Sequence, residues 1–310
     1  MSSTIACKKG IALLLVLWIL TILMVIAFSF SFATRTDVIS TVAFKEGVER
    51  KYIAEAGIER AILEIYYRRQ HMAEEDVWRI DGREYEGRLG DGFYKVRILD
   101  ESGKININTT SDIILRNLLL NIGVSDEEAD VIVDSIMDWK DEDDFYRLNG
   151  AESEYYKSLS VPYKPKNSPF DVIEELLMVR GITPEILYGS GEIKGLINFI
   201  TLYSRTNAIN INVAPKEVLS ALPGISPEIA DAIISYRQDK EIRDISEVRE
   251  IIGAGFQLAS PYMSAGDSEF FTVDSIGYKD KSKGGYGIRA TISISGGRIK
   301  ILYYKRPIQI

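Results

Sequence analysis

Residues Ile11 to Ala33 are apolar apart from Thr21, Ser29 and Ser31, and the short polar segment before them ends Cys7-Lys8-Lys9-Gly10. As a helix this run rises about 35 Å, enough to cross a bilayer core. Lys8 and Lys9 on its short side place the N-terminus in the cytoplasm and the rest of the chain outside. A secretory signal would end in a small-x-small cleavage motif, but Ala33 is followed by Thr34-Arg35-Thr36-Asp37. A plain signal anchor fits, and so does a leader cut before the run, between Gly10 and Ile11. Cys7 precedes the apolar stretch instead of following it, which excludes a lipoprotein box. A cut after Gly10 removes the chain's one cysteine and, with two lysines lost, makes its formal charge of −8 more negative still.

No proline occurs before Pro162, so the helix can continue past the membrane to about Tyr67. Ala54, Gly57, Ile58, Ala61, Ile62 and Ile65 recur at helical spacing, with Glu55, Glu59, Arg60 and Glu64 opposite them. Ala54, Gly57, Ala61 and Ile65 form a small-residue stripe that offers a close-packing face to partner helices. The period then changes to two. Glu84–Leu89 and Phe93–Leu99, joined by Gly90-Asp91-Gly92, read as a hairpin. Phe270–Ile276, Tyr286–Ser295 and Ile299–Arg306 read as three more strands. Residues 109–265 read as helical throughout. The expected fold is α+β: a long helix on a small antiparallel sheet, interrupted by a large all-α insertion.

The insertion repeats itself. Ile105-Asn106-Ile107-Asn108 returns as Ile209-Asn210-Ile211-Asn212, and Gly123, Ser125, Glu127, Ala129, Asp130 and Ile132 return as Gly224, Ser226, Glu228, Ala230, Asp231 and Ile233. A third copy of the turn, Gly181-Ile182-Thr183-Pro184-Glu185, matches Gly224–Glu228. Each unit is a helix-hairpin-helix whose glycine ends the first helix in a left-handed conformation. Ser226 caps the second helix and Pro227 takes its first position. Such hairpins often bind DNA through backbone N–H groups and nearby cations. Here Pro184 and Pro227 remove donors, and Asp126, Glu127, Glu185 and Glu228 sit where phosphate would lie. Protein contact is favoured over nucleic acid.

These segments resemble the K-type minor pseudopilins of the type II secretion system. The resemblance covers nearly the whole chain. It runs through Lys8-Lys9-Gly10, Tyr52-x-Ala54-Glu55-Ala56-Gly57-Ile58, Gly103–Thr109, Asp138–Asp144, Asn149–Glu152, Tyr155-Tyr156, Asn167-x-Pro169-Phe170-Asp171 and Ile211–Pro215. It implies a pilin fold carrying two SAM-like domains. The segments are then a leader at 1–10, a membrane-spanning stem at 11–33, stem continuation and first strands at 34–108, SAM-like domains at 109–208 and 209–265, and closing strands at 266–310. It also implies an inner-membrane precursor cut by prepilin peptidase, an inner-membrane assembly platform, I- and J-type minor pseudopilins as partners, and a place at the pseudopilus tip. The fifth residue after the cut is Leu15, where most pilins carry glutamate. A buried carboxylate without a partner is costly in lipid, so Leu15 suits a subunit with nothing above it. A type IV pilus minor pilin and a membrane-tethered DNA-binding protein of the competence type are the alternatives.

The densest acidic cluster is Asp138, Asp141, Glu142, Asp143, Asp144, Glu152 and Glu154. On the EF-hand frame Asp141, Asp143 and Glu152 take the first, third and last ligand positions, but Phe145 and Tyr146 fall where an oxygen ligand and glycine belong. The reading is an irregular calcium site formed by Asp141, Asp143, Asp144 and Glu152, with Asn149 adding its carbonyl. The family is associated with calcium in the same domain. A solvated acidic loop is the alternative. With one histidine, His71, and no P-loop, G-x-S-x-G or H-E-x-x-H, no enzyme is expected.

Overall fold

The computed structural model describes residues 6–71, 76–282 and 284–308, with side chains from Ile11 onward. Helix α1 runs unbroken from Ala6 to Gln70. The Gly10–Ile11 bond lies inside it, while the side chains of Cys7, Lys8 and Lys9 lie outside the described residues. From Ile11 to Phe44 every side chain of α1 is exposed. Among the described residues α1 is the one helix long and apolar enough to cross a membrane.

The second half of α1 packs on a sheet. Strands β1 (Asp81–Leu89) and β2 (Gly92–Asp100) form the expected hairpin. Next come the short β3 (Ile105–Asn106), α2 (Asp112–Asn121), α3 (Asp126–Lys140), α4 (Ser153–Lys157) and α5 (Pro184–Tyr188). Then follow β4 (Gly189–Ser190), β5 (Ile193–Lys194), β6 (Ile200–Thr201), β7 (Ile209–Asn210), α6 (Lys216–Leu219) and α7 (Pro227–Asp239). The order closes with α8 (Arg249–Ile252), α9 (Phe256–Ala259), β8 (Met263–Ser264), β9 (Phe270–Tyr278), β10 (Tyr286–Ser295) and β11 (Arg298–Ile308). The main sheet is antiparallel in the order β1-β2-β9-β10-β11. Alternate residues Val96, Ile98, Phe271, Val273, Ile288, Ala290, Ile292 and Ile294 form one apolar face. It buries Ile53, Ala54, Ile58, Ala61, Ile62 and Ile65 of α1. Fully burying an aliphatic side chain of this kind is worth about 1.5–3 kcal/mol, which is what holds so long a helix to so small a sheet.

Asp100 at the end of β2 lies opposite Phe271 at the start of β9, so the insertion leaves and re-enters the sheet at neighbouring points. The re-entry point meets the last turn of α1. Arg68, 6% exposed, pairs with Asp267 at 2.7 Å and with Glu241, and Arg69 donates to the Ser268 and Ile294 carbonyls. The insertion therefore branches from the end of α1 farthest from the apolar run.

Residues 109–265 are not helical throughout. Only α2, α3 and α7 exceed two turns, and long irregular stretches separate the other helices. The duplication is nonetheless plain in three dimensions. In the first lobe β3 pairs in parallel with β6; in the second β7 pairs in parallel with β8. The first lobe thus opens at Ile105, ahead of the boundary placed at 109. Gly123, Gly181 and Gly224 turn the three expected hairpins with φ of +99°, +86° and +83°. Gly253, at φ +64°, turns a fourth between Ile245 and Ala259, which sequence reading missed because no Pro-Glu follows it. The two lobes share one hydrophobic core.

Candidate functional site

The acidic cluster hangs from the C-terminal end of α3. This helix starts at the Ser125 cap and buries Ile132, Val133, Ile136, Met137 and Trp139. Trp139 rests against Tyr156, Tyr163 and Phe170 and gives the following loop a rigid floor. On that floor Asp138, Asp141 and Glu152 bring one carboxylate oxygen each within 4.8 Å of one another. Asp138 and Glu152 are 0% and 1% exposed. Asp138 Oδ1, Asp141 Oδ1, both oxygens of Glu152 and the side-chain oxygen of Asn167 are buried without a hydrogen-bond partner. The nearest cation is Arg147, 3.5 Å from Asp138 Oδ1.

Burial, reinforced by Asp138 and Asp141, pushes Glu152 up to about 7. Burial likewise pushes Asp138 up to about 6, and Asp141 moves upward as well. Buried carboxylates that face each other with orphaned oxygens are unfavourable unless protons or a cation join them. An all-oxygen donor set with a carboxylate able to bind through both oxygens suits a hard divalent ion, calcium above the softer metals. The residues present fit the ion.

The set differs from the one read in the sequence. Asp141 and Glu152 are in it, and Asp138 joins them. Asp143 instead accepts the Phe145 N–H at 2.9 Å, and Asp144 accepts the Ser153 hydroxyl at 2.9 Å. The Asn149 amide and backbone N–H both bind Asp134, while its carbonyl accepts weakly from Arg180 at 3.4 Å. Asp138, which the sequence places in the acidic cluster but not among the expected ligands, lies near the end of α3. Asn167, at φ +47°, belongs to a segment that carries the family resemblance, but nothing in the sequence marks it as part of the acidic site.

In the two duplicated hairpins the cations beside the turn and the N-termini of the second helices already have partners within the chain. Arg116 of α2 is tied to Asp126 and Asp130 of α3, and Lys216 of α6 to Asp231 of α7. Ser125 and Ser226 already cap the N-termini of α3 and α7. His71 stacks on Tyr67 at 4.1 Å, and its ring nitrogen meets the Tyr67 carbonyl at 2.9 Å.

A family model described as type II secretion system protein K matches residues 96–189, and one for the helix-hairpin-helix motif matches residues 204–262. Type II secretion system protein K of Pectobacterium carotovorum subsp. carotovorum is 32% identical over 114 residues, 34% of each chain. Putative type II secretion system protein K of Escherichia coli strain K12 is 23% identical over 98% of both chains. A crystal structure of the GspK–GspI–GspJ complex from the type 2 secretion system of enterotoxigenic Escherichia coli matches with a TM-score of 0.65 and 19% identity. That match covers 87% of this chain and all of the other, and it shares the fold.

The chain is similar to type II secretion system protein K, through the family model over residues 96–189 and through curated relatives, one of them along 98% of its length. These likenesses support a minor pseudopilin of type II secretion, and the long apolar N-terminal helix fits a single-pass membrane anchor. The stem stripe does not serve partner helices as the sequence suggested. Ala54 and Ala61 are 0% exposed and Ile65 1%, all against the chain's own sheet. A side chain at Gly57 would meet Ser275 Oγ at 2.2 Å and Tyr94 at 3.2 Å. The glycine exists so that β9 can approach α1, and the small residues are spent inside the subunit. Leu15 is 58% exposed and lies within the apolar run.

Proposed function

We propose that this minor pseudopilin caps the tip of the type II secretion pseudopilus, in company with I- and J-type minor pseudopilins. The observation that supports this reading is where the bulk lies. The two-lobed insertion branches from the membrane-distal end of α1, anchored there through Arg68 and Arg69. A shaft subunit needs that end clear for the next subunit. Leu15 agrees, since it cannot make a carboxylate contact to the terminal amine of a neighbour. The related complex is named for three such proteins together, which supports the same partners here. On this reading prepilin peptidase cuts between Gly10 and Ile11, the apolar run sits in the inner membrane beside the assembly platform, and both lobes, SAM-like in the family's terms, face the periplasm.

Calcium belongs to the same proposal. Asp138, Asp141 and Glu152 would hold it, and the ion would neutralise carboxylates that burial otherwise penalises. Quantitative labelling of sheared filaments tests the tip reading. The expected result is a few copies per filament at one end; parity with the major subunit along the shaft would refute it. Intact-mass measurement of membrane-extracted protein should find Ile11 as the first residue.

A further inference from the structure

The two edges of the main sheet are built differently. Most charges of the β1 edge are answered within the chain: Arg83 pairs with Asp81, Lys95 with Glu84 and Glu86, and Lys281 with Glu86, while Arg88 lies over the Phe93 ring. The β11 edge is not answered. Arg298, Lys300 and Lys305 form no ion pair among the described residues; only Arg306 does, with Glu55. β11 contains no acidic residue, in a chain of formal charge −8.

The register sorts its side chains. Ile299, Ile301 and Tyr304 lie opposite Ile294, Ile292 and Ala290, and so point to the α1 side of the sheet. There they overhang the helix and remain 46%, 60% and 39% exposed. Lys300, Tyr303 and Lys305 lie opposite Ser293, Thr291 and Arg289, on the outer side. Ahead of Pro307, which has no N–H to offer, this outer strand has one free hydrogen-bonding edge, an apolar overhang on one face and unpaired cations on the other; the cations repel a like strand and admit a complementary one.

We propose that β11 receives an extended, acidic segment of another minor pseudopilin as a sixth strand. This rests on the partner reading above and names the surface it uses. The unpaired cations decide the occupant. A second copy of this chain would set the same basic strand against itself, at a cost in like-charge contact. An acidic strand would instead pair its carboxylates with Lys300 and Lys305 and cover Ile299 and Ile301 with its apolar alternates.

The test uses the full-length chain, coexpressed with its I- and J-type minor pseudopilins, with a photoreactive benzoylphenylalanine at position 301 or 303. Positions 89 and 188 serve as exposed controls. Crosslinks from 301 and 303 to an I- or J-type subunit are expected, and Lys300→Glu with Lys305→Glu should reduce recovery of that adduct at least about tenfold. A complex that co-purifies but crosslinks only from the control positions overturns the surface and leaves the partner reading standing. Adducts of this chain with itself overturn the choice of occupant. Failure of any complex to co-purify overturns both.

Discussion

The two lobes of the insertion are one plan executed twice, and they differ most at one place. In each, the second Ile-Asn of the repeated motif is a clamp. Asn108 donates to the Phe170 carbonyl and accepts its N–H at 3.0 and 2.7 Å; Asn212 does the same to Ile242 at 2.7 and 2.9 Å. The first asparagines match too, with Asn106 donating to the Ser204 carbonyl and Asn210 to that of Gly266. Glu175 then accepts the N–H groups of Asp171 and Val172, and Glu247 those of Arg243 and Asp244. Lys166 and Lys240 pair with these glutamates. The lobes part company after their longest helix. Lys240 and Glu241 suffice to join Asp239 to Ile242, whereas residues 141–169 intervene between Lys140 and Phe170. That extra loop carries Asp141, Glu152 and Asn167. The second lobe shows that the plan closes without it, so the acidic site is an addition to the fold and not a condition of it.

The comparison breaks if the clamps are not equivalent. Asn212 is 7% exposed and also reaches the Ala265 carbonyl. Asn212→Ala strands buried donors and acceptors and should cost about 3–4 kcal/mol in denaturant unfolding. Asn108→Ala, with one partner residue fewer, should cost about 2 kcal/mol. A neutral Asn108→Ala would mean that the repeated motif is sequence resemblance only.

Ion dependence sharpens the same contrast. Calcium at one hundred times its dissociation constant should stabilise the chain by about 2.7 kcal/mol over chelator. Hydrogen exchange should slow in residues 141–169 and stay unchanged around Asp239–Ile242. The pH sign follows from the raised carboxyls. Without the ion, Glu152 and Asp138 hold protons more tightly folded than unfolded. Their contribution is full only below the ordinary values of 3.8 and 4.5, and it is lost as pH rises from there through about 6 and 7. Calcium needs them ionised, so its effect should grow from pH 5 to pH 8. Calcium-independent melting at pH 8 would remove the site. Glu152→Gln should abolish the calcium response while raising stability in chelator by an amount on the order of 1 kcal/mol.

The long helix, the five main strands and the duplication were legible because each rests on a period: 3.6 for α1, two for β2 and β10, and one constant offset between Gly123–Ile132 and Gly224–Ile233. What failed rests on partners that sequence does not name. The stripe Ala54, Gly57, Ala61 and Ile65 announces close packing but not against what; the answer is β9, whose Ser275 fills the Gly57 notch. Asp138 looks like an interior helix residue and is, yet the loop folds back over it and turns it into the centre of the acidic site. Irregular segments such as 141–152 hold their shape through single contacts, Asn149 to Asp134 for one, which have no period to read.

The smallest effect is expected at the hairpin cations. Arg116 bridges α2 to α3 and Lys216 bridges α6 to α7, the same device in both lobes. All the groups involved are at least one-third exposed, where ion pairs contribute about 0–1 kcal/mol and are screened by salt. Arg116→Ala and Lys216→Ala should each shift stability by less than about 1 kcal/mol, and the shift should shrink at high salt. The same two variants test the nucleic-acid alternative. A hairpin that held duplex DNA through these cations would show retention that falls steeply with salt and drops again when either is removed. With Asp126, Asp130 and Asp231 already neutralising them, no such retention is expected from the unaltered chain. Salt-dependent retention lost in Lys216→Ala would instead make the second lobe a DNA-binding module and its likeness to the first a matter of ancestry alone.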